Sequence, residues 1–227
     1  MSIEIYSPFI TVDVVLMALV QGELHIGLVR RDNENEPFYG AWCLPGGFVR
    51  PQEDDSAMDT ALRVLREKAQ VHEPHLEQLA TFSGSGRDPR GWSASIAYYA
   101  LVASHVAPED TDVFRWEKAE RVLSRTLAFD HSTIVKTAVE RVRNRASYSS
   151  LPIFLMPPAF TITELRNVYE QLLGGELEQR GFIRRLEEMD IVEPTGTTKT
   201  EKHRPAKLYR AKGQRGLAQL GPSIMTR

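Results

Sequence analysis

Two arginines in one short polar loop are the first residues whose type and spacing suggest chemistry. Arg87 and Arg90 lie in Ser83-Gly84-Ser85-Gly86-Arg87-Asp88-Pro89-Arg90-Gly91-Trp92. Guanidiniums held on a loop constrained by Gly and Pro can make paired hydrogen bonds to phosphate or ribose oxygens, which lysines cannot. A solvated turn whose arginines pair with neighbouring acids is the alternative. The paired glycines of Leu44-Pro45-Gly46-Gly47-Phe48-Val49 let the backbone turn sharply and approach a ligand. Paired glycines also serve as plain turn punctuation. His131 could act as a base, but Asp130-His131-Ser132 reads more readily as a helix start. The single cysteine, Cys43, cannot form an internal disulfide and is expected to be a small buried apolar residue in a reducing compartment.

Charge supplies a second group of candidates. Residues 1–150 carry 16 Lys and Arg against 21 Asp and Glu, whereas residues 151–227 carry 12 against 9. Within residues 195–227, eight basic side chains face one acid, Glu201. A local basic excess of this kind suits a polyanion. No apolar run approaches the roughly 18 residues of a membrane span. The N-terminal segment lacks a basic region followed by an apolar core, so no secretory leader is expected.

The elements that must position these residues can be read in turn. Phe9 to Val20 and Leu24 to Arg31 are strands joined by a turn at Gln21-Gly22-Glu23, forming a hairpin. Ser56 is a plausible N-cap with Asp59 three residues on, ahead of a helix with apolar residues at Ala57, Met58, Ala61, Leu62, Leu65 and Ala69. Strands at Leu76 to Phe82 and Ser93 to Ala103 flank the arginine loop, and a helix runs from Thr133 to about Arg145. The prolines of residues 147–160 interrupt helix and mark a domain boundary, giving domains 1–150 and 151–227.

Beyond that boundary Thr161 and Glu164 form a capping box, with Phe160 and Leu165 placed as a hydrophobic staple. This helix reaches about Leu173, and Gly174-Gly175 turns the chain into a second one, Glu176 to Met189. Leu177, Phe182, Ile183 and Leu186 face inward on it, leaving Arg180, Arg184 and Arg185 outward. A strand starting at Ile191-Val192, a basic loop from Thr195 to Arg204 and a strand at Lys207 to Arg210 complete a helix-turn-helix with a hairpin wing. Arginines on the second helix could then reach base edges while the wing contacts phosphates. A small helical domain with a solvated basic face is the competing reading.

The stretch from Gly46 to Val71 resembles a Nudix box, G-x5-E-x7-R-E-U-x-E-E-x-G-U with U aliphatic. In that motif three carboxylates at i, i+3 and i+4 share one helix face and can hold Mg²⁺. With Arg63 aligned to the motif arginine, the carboxylate positions fall on Val64, Glu67 and Lys68, and Gln70 replaces the final glycine. Nine residues separate Glu53 from Arg63 where the motif has seven. An ammonium at Lys68 would stand where a cation belongs.

Taken with Leu127-Ala128-Phe129-Asp130-His131 and Phe182-Ile183-Arg184-Arg185-Leu186, the whole chain resembles the Nudix-related transcriptional regulators of the NrtR type. The resemblance implies a Nudix α/β/α sandwich with a mixed sheet, followed by a winged helix-turn-helix. It further implies a homodimeric repressor of NAD synthesis or salvage genes that binds a palindromic double-stranded operator and is released by ADP-ribose or a related nucleotide. By matching position the ligand site would comprise Gly46, Gly47, Phe48 and Glu67, together with Arg87, Asp88 and Arg90. DNA contacts would come from Arg180, Arg184 and Arg185 on the second helix, and from Lys199, Lys202, His203, Arg204 and Lys207 in the wing. Gly181 departs from the polar residue expected on a recognition helix. No catalysis beyond residual ADP-ribose hydrolysis, no functional Mg²⁺ site and no membrane association are expected, and a cytoplasmic compartment is implied. The rival reading is an ADP-ribose hydrolase with a C-terminal dimerisation module, which would need Glu53 and Glu67, with Asp54 or Asp55, to rebuild a metal site.

Overall fold

A computed structural model describes residues 7–199 and 205–212. The chain divides into two compact units. One takes in most of the chain up to Ala138, and the other consists of residues 139 onward with the short stretches 18–24 and 102–106.

The first unit is organised on a sheet. Strands β1 (Phe9–Val20) and β2 (Glu23–Arg30) are followed by the short β3 (Trp42–Cys43) and β4 (Gly46–Phe48), helix α1 (Ala57–Ala69), β5 (His75–Gly84), β6 (Ser93–Val102) and β7 (Phe114–Lys118). Helices α2 (Ala119–Leu123) and α3 (His131–Ala146) come next. The strand order is β3-β2-β1-β6-β5, with β4 added to β1 and β7 to β2. Strand β1 is buried almost without interruption from Thr11 to Leu19, the signature of a strand covered on both faces rather than one. One carboxylate, Asp13, lies within that buried run and is only 6% exposed.

Helix α1 starts as its sequence indicates. The Ser56 hydroxyl accepts from the Asp59 amide at 3.2 Å, satisfying one of the orphan donors of the first turn. It ends on Gln70, which adopts a left-handed conformation with φ 53° and donates its N–H to the Leu65 carbonyl. That is the conformation for which a helix-ending glycine is favoured. The inward face differs from the expectation: Met58 is exposed, while Thr60, Arg63 and Val64 are buried beside Ala61, Leu65 and Ala69.

The second unit contains α4 (Ile162–Leu173), α5 (Gln179–Met189), β8 (Val192–Lys199) and β9 (Ala206–Ala211). The capping box is present: the Thr161 N–H donates to Glu164 Oε2 at 2.7 Å, and the Glu164 N–H to Thr161 Oγ1 at 3.1 Å. Gly174 ends α4 with φ 72°. Phe160 and Tyr209 exchange backbone hydrogen bonds of 2.9 and 2.8 Å, tying the entry to α4 onto β9. Tyr169 and Phe182 meet edge to face at 5.2 Å in a core that also buries Phe160, Leu165 and Leu186.

The largest boundary shifts relative to the sequence reading fall in the second unit. Helix α5 begins at Gln179 rather than Glu176, because the Glu178 carboxylate accepts from the Arg180 and Gly181 amides and so caps the helix there. Strand β8 continues through Lys199 where a loop was expected from Thr195, since Thr198 and Lys199 still pair with Lys207 and Ala206. No helix among the described residues is long and apolar enough to cross a membrane.

Candidate functional site

The first candidate site forms where β4 lies against β1. Gly46 pairs with Asp13, and a Cβ on Gly46 would fall 2.1 Å from Asp13 Oδ1. Gly46 is therefore required by the buried carboxylate beneath it. Asp13 Oδ2 accepts from Ser95 Oγ at 2.6 Å, and its Oδ1 lies 3.4 Å from His131 Nε2. The Leu44 N–H donates to His131 Nδ1 at 3.0 Å, which makes Nδ1 an acceptor and leaves the ring proton on Nε2, facing Asp13.

The arginine loop closes one side. The Arg87 side chain is 8% exposed and forks onto Asp130, with Nε to Oδ2 at 3.1 Å and Nη2 to Oδ1 at 2.9 Å, while Nη1 donates to Ser93 Oγ. Arg90 forks onto Asp88 at 3.0 and 2.8 Å, and its backbone N–H donates to the same carboxylate at 2.9 Å. Burial alone would raise the pKa of Asp88, but these bonds from Arg90 outweigh it and hold the carboxyl below its ordinary value. The Arg90 guanidinium also lies 5.0 Å from the centre of the Phe48 ring and 5.8 Å from that of Phe129, and Arg31 lies 4.9 Å from Phe129. Aromatic faces and guanidiniums thus alternate along the rim.

Helix α1 packs on β4 and presents its motif positions there. Arg63 is buried and forks onto Asp54 at 2.8 and 2.7 Å, with a further bond to the Phe48 carbonyl at 3.0 Å. The residue paired with the motif arginine is therefore Asp54, whereas Glu53 pairs with Arg50 at the surface. Val64 fills the place of the first motif carboxylate, its Cγ2 lying 3.2 Å from where a Gly47 Cβ would be. Glu67 is held by Arg50 at 3.3 Å and Arg63 at 3.4 Å. The Lys68 ammonium donates to the Gly46 carbonyl at 2.6 Å.

These groups enclose a cleft of about 100 Å³. It is lined by Gly46, Gly47, Phe48, Arg87, Asp88 and Arg90, so six of the seven expected ligand residues are brought together. Glu67 is not among its lining residues, because its carboxylate is turned to Arg50 and Arg63. The cleft adds Asp13, Arg31, Lys68, Phe129 and His131, which had not been assigned to it. A signal for Asp13 was available: it is the one acid within an apolar strand of twelve residues. For Phe129 the one signal was its place in Leu127-Ala128-Phe129-Asp130-His131; it adopts φ 55° and its ring lies beside Arg31 and Arg90.

The second candidate site is the basic face of the second unit. Arg180 and Arg184 are exposed on α5, Arg185 is half-buried, and Lys207 is exposed on β9. Arg184 lies 3.8 Å from Glu188 one turn on, a surface pair. Lys199 instead reaches back to Glu164, 2.6 Å away at the start of α4, so it supports the capping box as well as the wing. Gly181, where a polar residue was expected, lies under the Glu178 carboxylate that caps α5, and a Cβ there would stand 3.1 Å from it. Lys202, His203 and Arg204 lie outside the described residues.

Residues 10–138 match the family model of the NUDIX domain, and residues 152–211 that of the NrtR DNA-binding winged helix domain. The ADPR-responsive transcriptional repressor of Acinetobacter baylyi is 42% identical over 207 residues, 90% of this chain and 82% of that protein. The crystal structure of Shewanella oneidensis NrtR complexed with a 27-mer DNA superposes with a TM-score of 0.84 at 40% identity, covering 89% of this chain and 93% of that one. The NUDIX domain of the Shewanella oneidensis protein complexed with ADP ribose superposes with a TM-score of 0.55 at 38% identity, covering 61% and 90%. With both domains matched in order and a relative this similar along most of its length, the chain belongs to the NrtR-type transcriptional regulators, a Nudix domain followed by a winged helix.

Proposed function

We propose that this chain is a transcriptional repressor that binds a palindromic operator as a homodimer and is released when ADP-ribose occupies the cleft beside Gly46, without hydrolysing it. The observation carrying this reading is the joint presence of an arginine-lined cleft and a winged helix in one chain, the first resembling a domain solved with ADP ribose and the whole resembling a protein solved on DNA. Arg87 and Arg90 supply fork geometry suited to a diphosphate, and Phe48 and Phe129 supply apolar faces. On DNA, α5 would enter the major groove with Arg180, Arg184 and Arg185, while Lys199, Lys207 and the basic residues 202–204 contact phosphates.

Support for binding without turnover comes from the α1 face. Mg²⁺ prefers several oxygen ligands in near-octahedral array. The three motif positions offer a valine packed on Gly47, a glutamate shared by two arginines and an ammonium, which is not a donor set for a hard dication. The proposal extends to genes of NAD synthesis or salvage as the targets and to the cytoplasm as the compartment. Release requires that ADP-ribose bind the DNA-free arrangement more tightly than the DNA-bound one, since a ligand shifts an equilibrium only by its differential affinity. Fluorescence anisotropy of the purified protein on a duplex selected from a random pool tests the reading. Added ADP-ribose should lower the anisotropy and leave no AMP or ribose 5-phosphate behind in Mg²⁺ buffer. Retention of the duplex at saturating ADP-ribose, or sustained AMP production, contradicts it.

A further inference from the structure

The cations lining the cleft are not alike. Arg31 is paired with Glu36, Arg87 with Asp130 and Arg90 with Asp88. Each arginine therefore meets an incoming anion already neutralised by a carboxylate, and must exchange one acceptor for another. Lys68 has a different partner. Its ammonium rests on the carbonyl of Gly46, a neutral acceptor, and among the described residues no carboxylate pairs with it. An ammonium has three donors, of which this contact uses one. The remaining two are available on the exposed end of a side chain that lines the cleft, directly at the glycine turn.

We propose that Lys68 is a ligand-contacting residue that serves as a built-in substitute for a divalent cation, binding the Gly46 carbonyl on one side and a diphosphate oxygen on the other. This rests on the assignment of ADP-ribose to the cleft. A divalent cation and an ammonium share the preference for carbonyl and phosphate oxygens, but the ammonium is tethered, carries one charge and activates no water. The neighbours agree with that exchange. Val64 removes a carboxylate that would otherwise compete for the ammonium, and Glu67 is turned away to Arg50 and Arg63. The position of Lys68 in the last turn of α1 also suits the helix C-terminus electrostatically, which explains its tolerance there but not its placement on the turn carbonyl. Two properties follow: affinity for a diphosphate ligand depends on the charge at residue 68, and that affinity is indifferent to Mg²⁺.

Isothermal titration of the full chain with ADP-ribose, in EDTA and in Mg²⁺, tests both. Wild type should bind equally in the two buffers. K68R, which keeps the charge, should stay within a few-fold of wild type. K68Q keeps a donor for the Gly46 carbonyl but loses the charge, and should bind about tenfold more weakly in both buffers, the loss expected for one charge-assisted hydrogen bond. Melting temperatures without ligand should be close for all three proteins, since residue 68 is exposed. Full affinity in K68Q, or a wild-type affinity that falls on chelation, overturns the proposal while leaving the effector assignment intact. Failure of wild type to bind ADP-ribose in either buffer overturns the effector assignment and this inference with it.

Discussion

Arg87 is held by Asp130 in a two-point fork of 2.9 and 3.1 Å, so this cleft-lining guanidinium is already occupied by a carboxylate of its own chain. Asp130 immediately precedes α3, and its backbone carbonyl accepts from Thr133 at the start of that helix. An anionic ligand that engages Arg87 therefore displaces or shares this carboxylate.

Neutralising the internal competitor should strengthen ligand binding. Asp130→Asn keeps one oxygen for Arg87 but removes the charge, and the difference between a charged and a neutral hydrogen bond predicts about fivefold tighter ADP-ribose binding. Calorimetric titration of the variant measures it. An unchanged or weaker affinity would mean that Asp130 orients Arg87 for the ligand rather than competing with it.

The end of α1 stores backbone strain. Gln70 occupies a left-handed conformation, φ 53°, that costs a residue bearing a Cβ roughly 1 kcal/mol relative to glycine. Gln70→Gly should raise unfolding stability by up to about 0.5 kcal/mol, because the greater entropy of glycine in the unfolded chain offsets about half or more of the relieved strain. Urea denaturation monitors it, and destabilisation by the change would refute the strain argument.

Acid should unfold the protein through paired carboxylates. The bonds from Arg63, reinforced by Thr60 and the Arg50 amide, hold Asp54 well below its ordinary value of 3.8. In Glu164, burial would raise the pKa from 4.5, but the bonds from Lys199 and Thr161 lower it. A depressed folded pKa contributes stability that is complete above the unfolded value and is lost as pH falls through the folded one. For these two groups and Asp88, that loss begins at about pH 4.5 and deepens below 3.8. Their contribution to stability should therefore be flat from neutrality down to that point. Asp54→Asn should be less stable at pH 7 and show a shallower acid limb. An acid limb as steep as that of wild type would show that Asp54 does not contribute to it.

Much of this arrangement was legible in the sequence because it is local. The Thr161/Glu164 capping box, the Ser56 cap, the Phe9 to Arg31 hairpin and the wing strands all depend on residues within a turn or a strand pair of one another. The arginine loop and glycine turn were also legible as the parts of one cleft, since each carries its own composition. What could not be read depends on distant pairing. His131 meets Leu44 across 87 residues, and Asp13 meets Gly46 only when β4 adds to β1. Glu67 kept its charge but not its direction, because the longer segment before Arg63 brings Asp54, rather than Glu53, to the arginine and leaves Glu67 within reach of Arg50. The start of α5 moved because Glu178, a weak N-cap by type, has an unobstructed path to the Gly181 amide.

On DNA, the α5 and wing residues should separate by role. Arg184→Ala should cost about 1–3 kcal/mol on the selected duplex and relax its sequence preference if the guanidinium reads a base edge. Lys207→Ala should weaken all duplexes alike and reduce the slope of log affinity against log salt by about 1. Anisotropy titrations at several salt concentrations resolve both effects, and wild-type behaviour in both variants would remove this face from the DNA interface.

The central claim is that one chain couples a nucleotide cleft to DNA binding, and coupling is reciprocal. The most direct measurement is the dissociation constant of ADP-ribose in the absence and presence of saturating selected duplex. DNA should weaken ADP-ribose binding by the same factor by which ADP-ribose weakens DNA binding, on the order of 5- to 150-fold. Equal ADP-ribose affinities with and without DNA would contradict it.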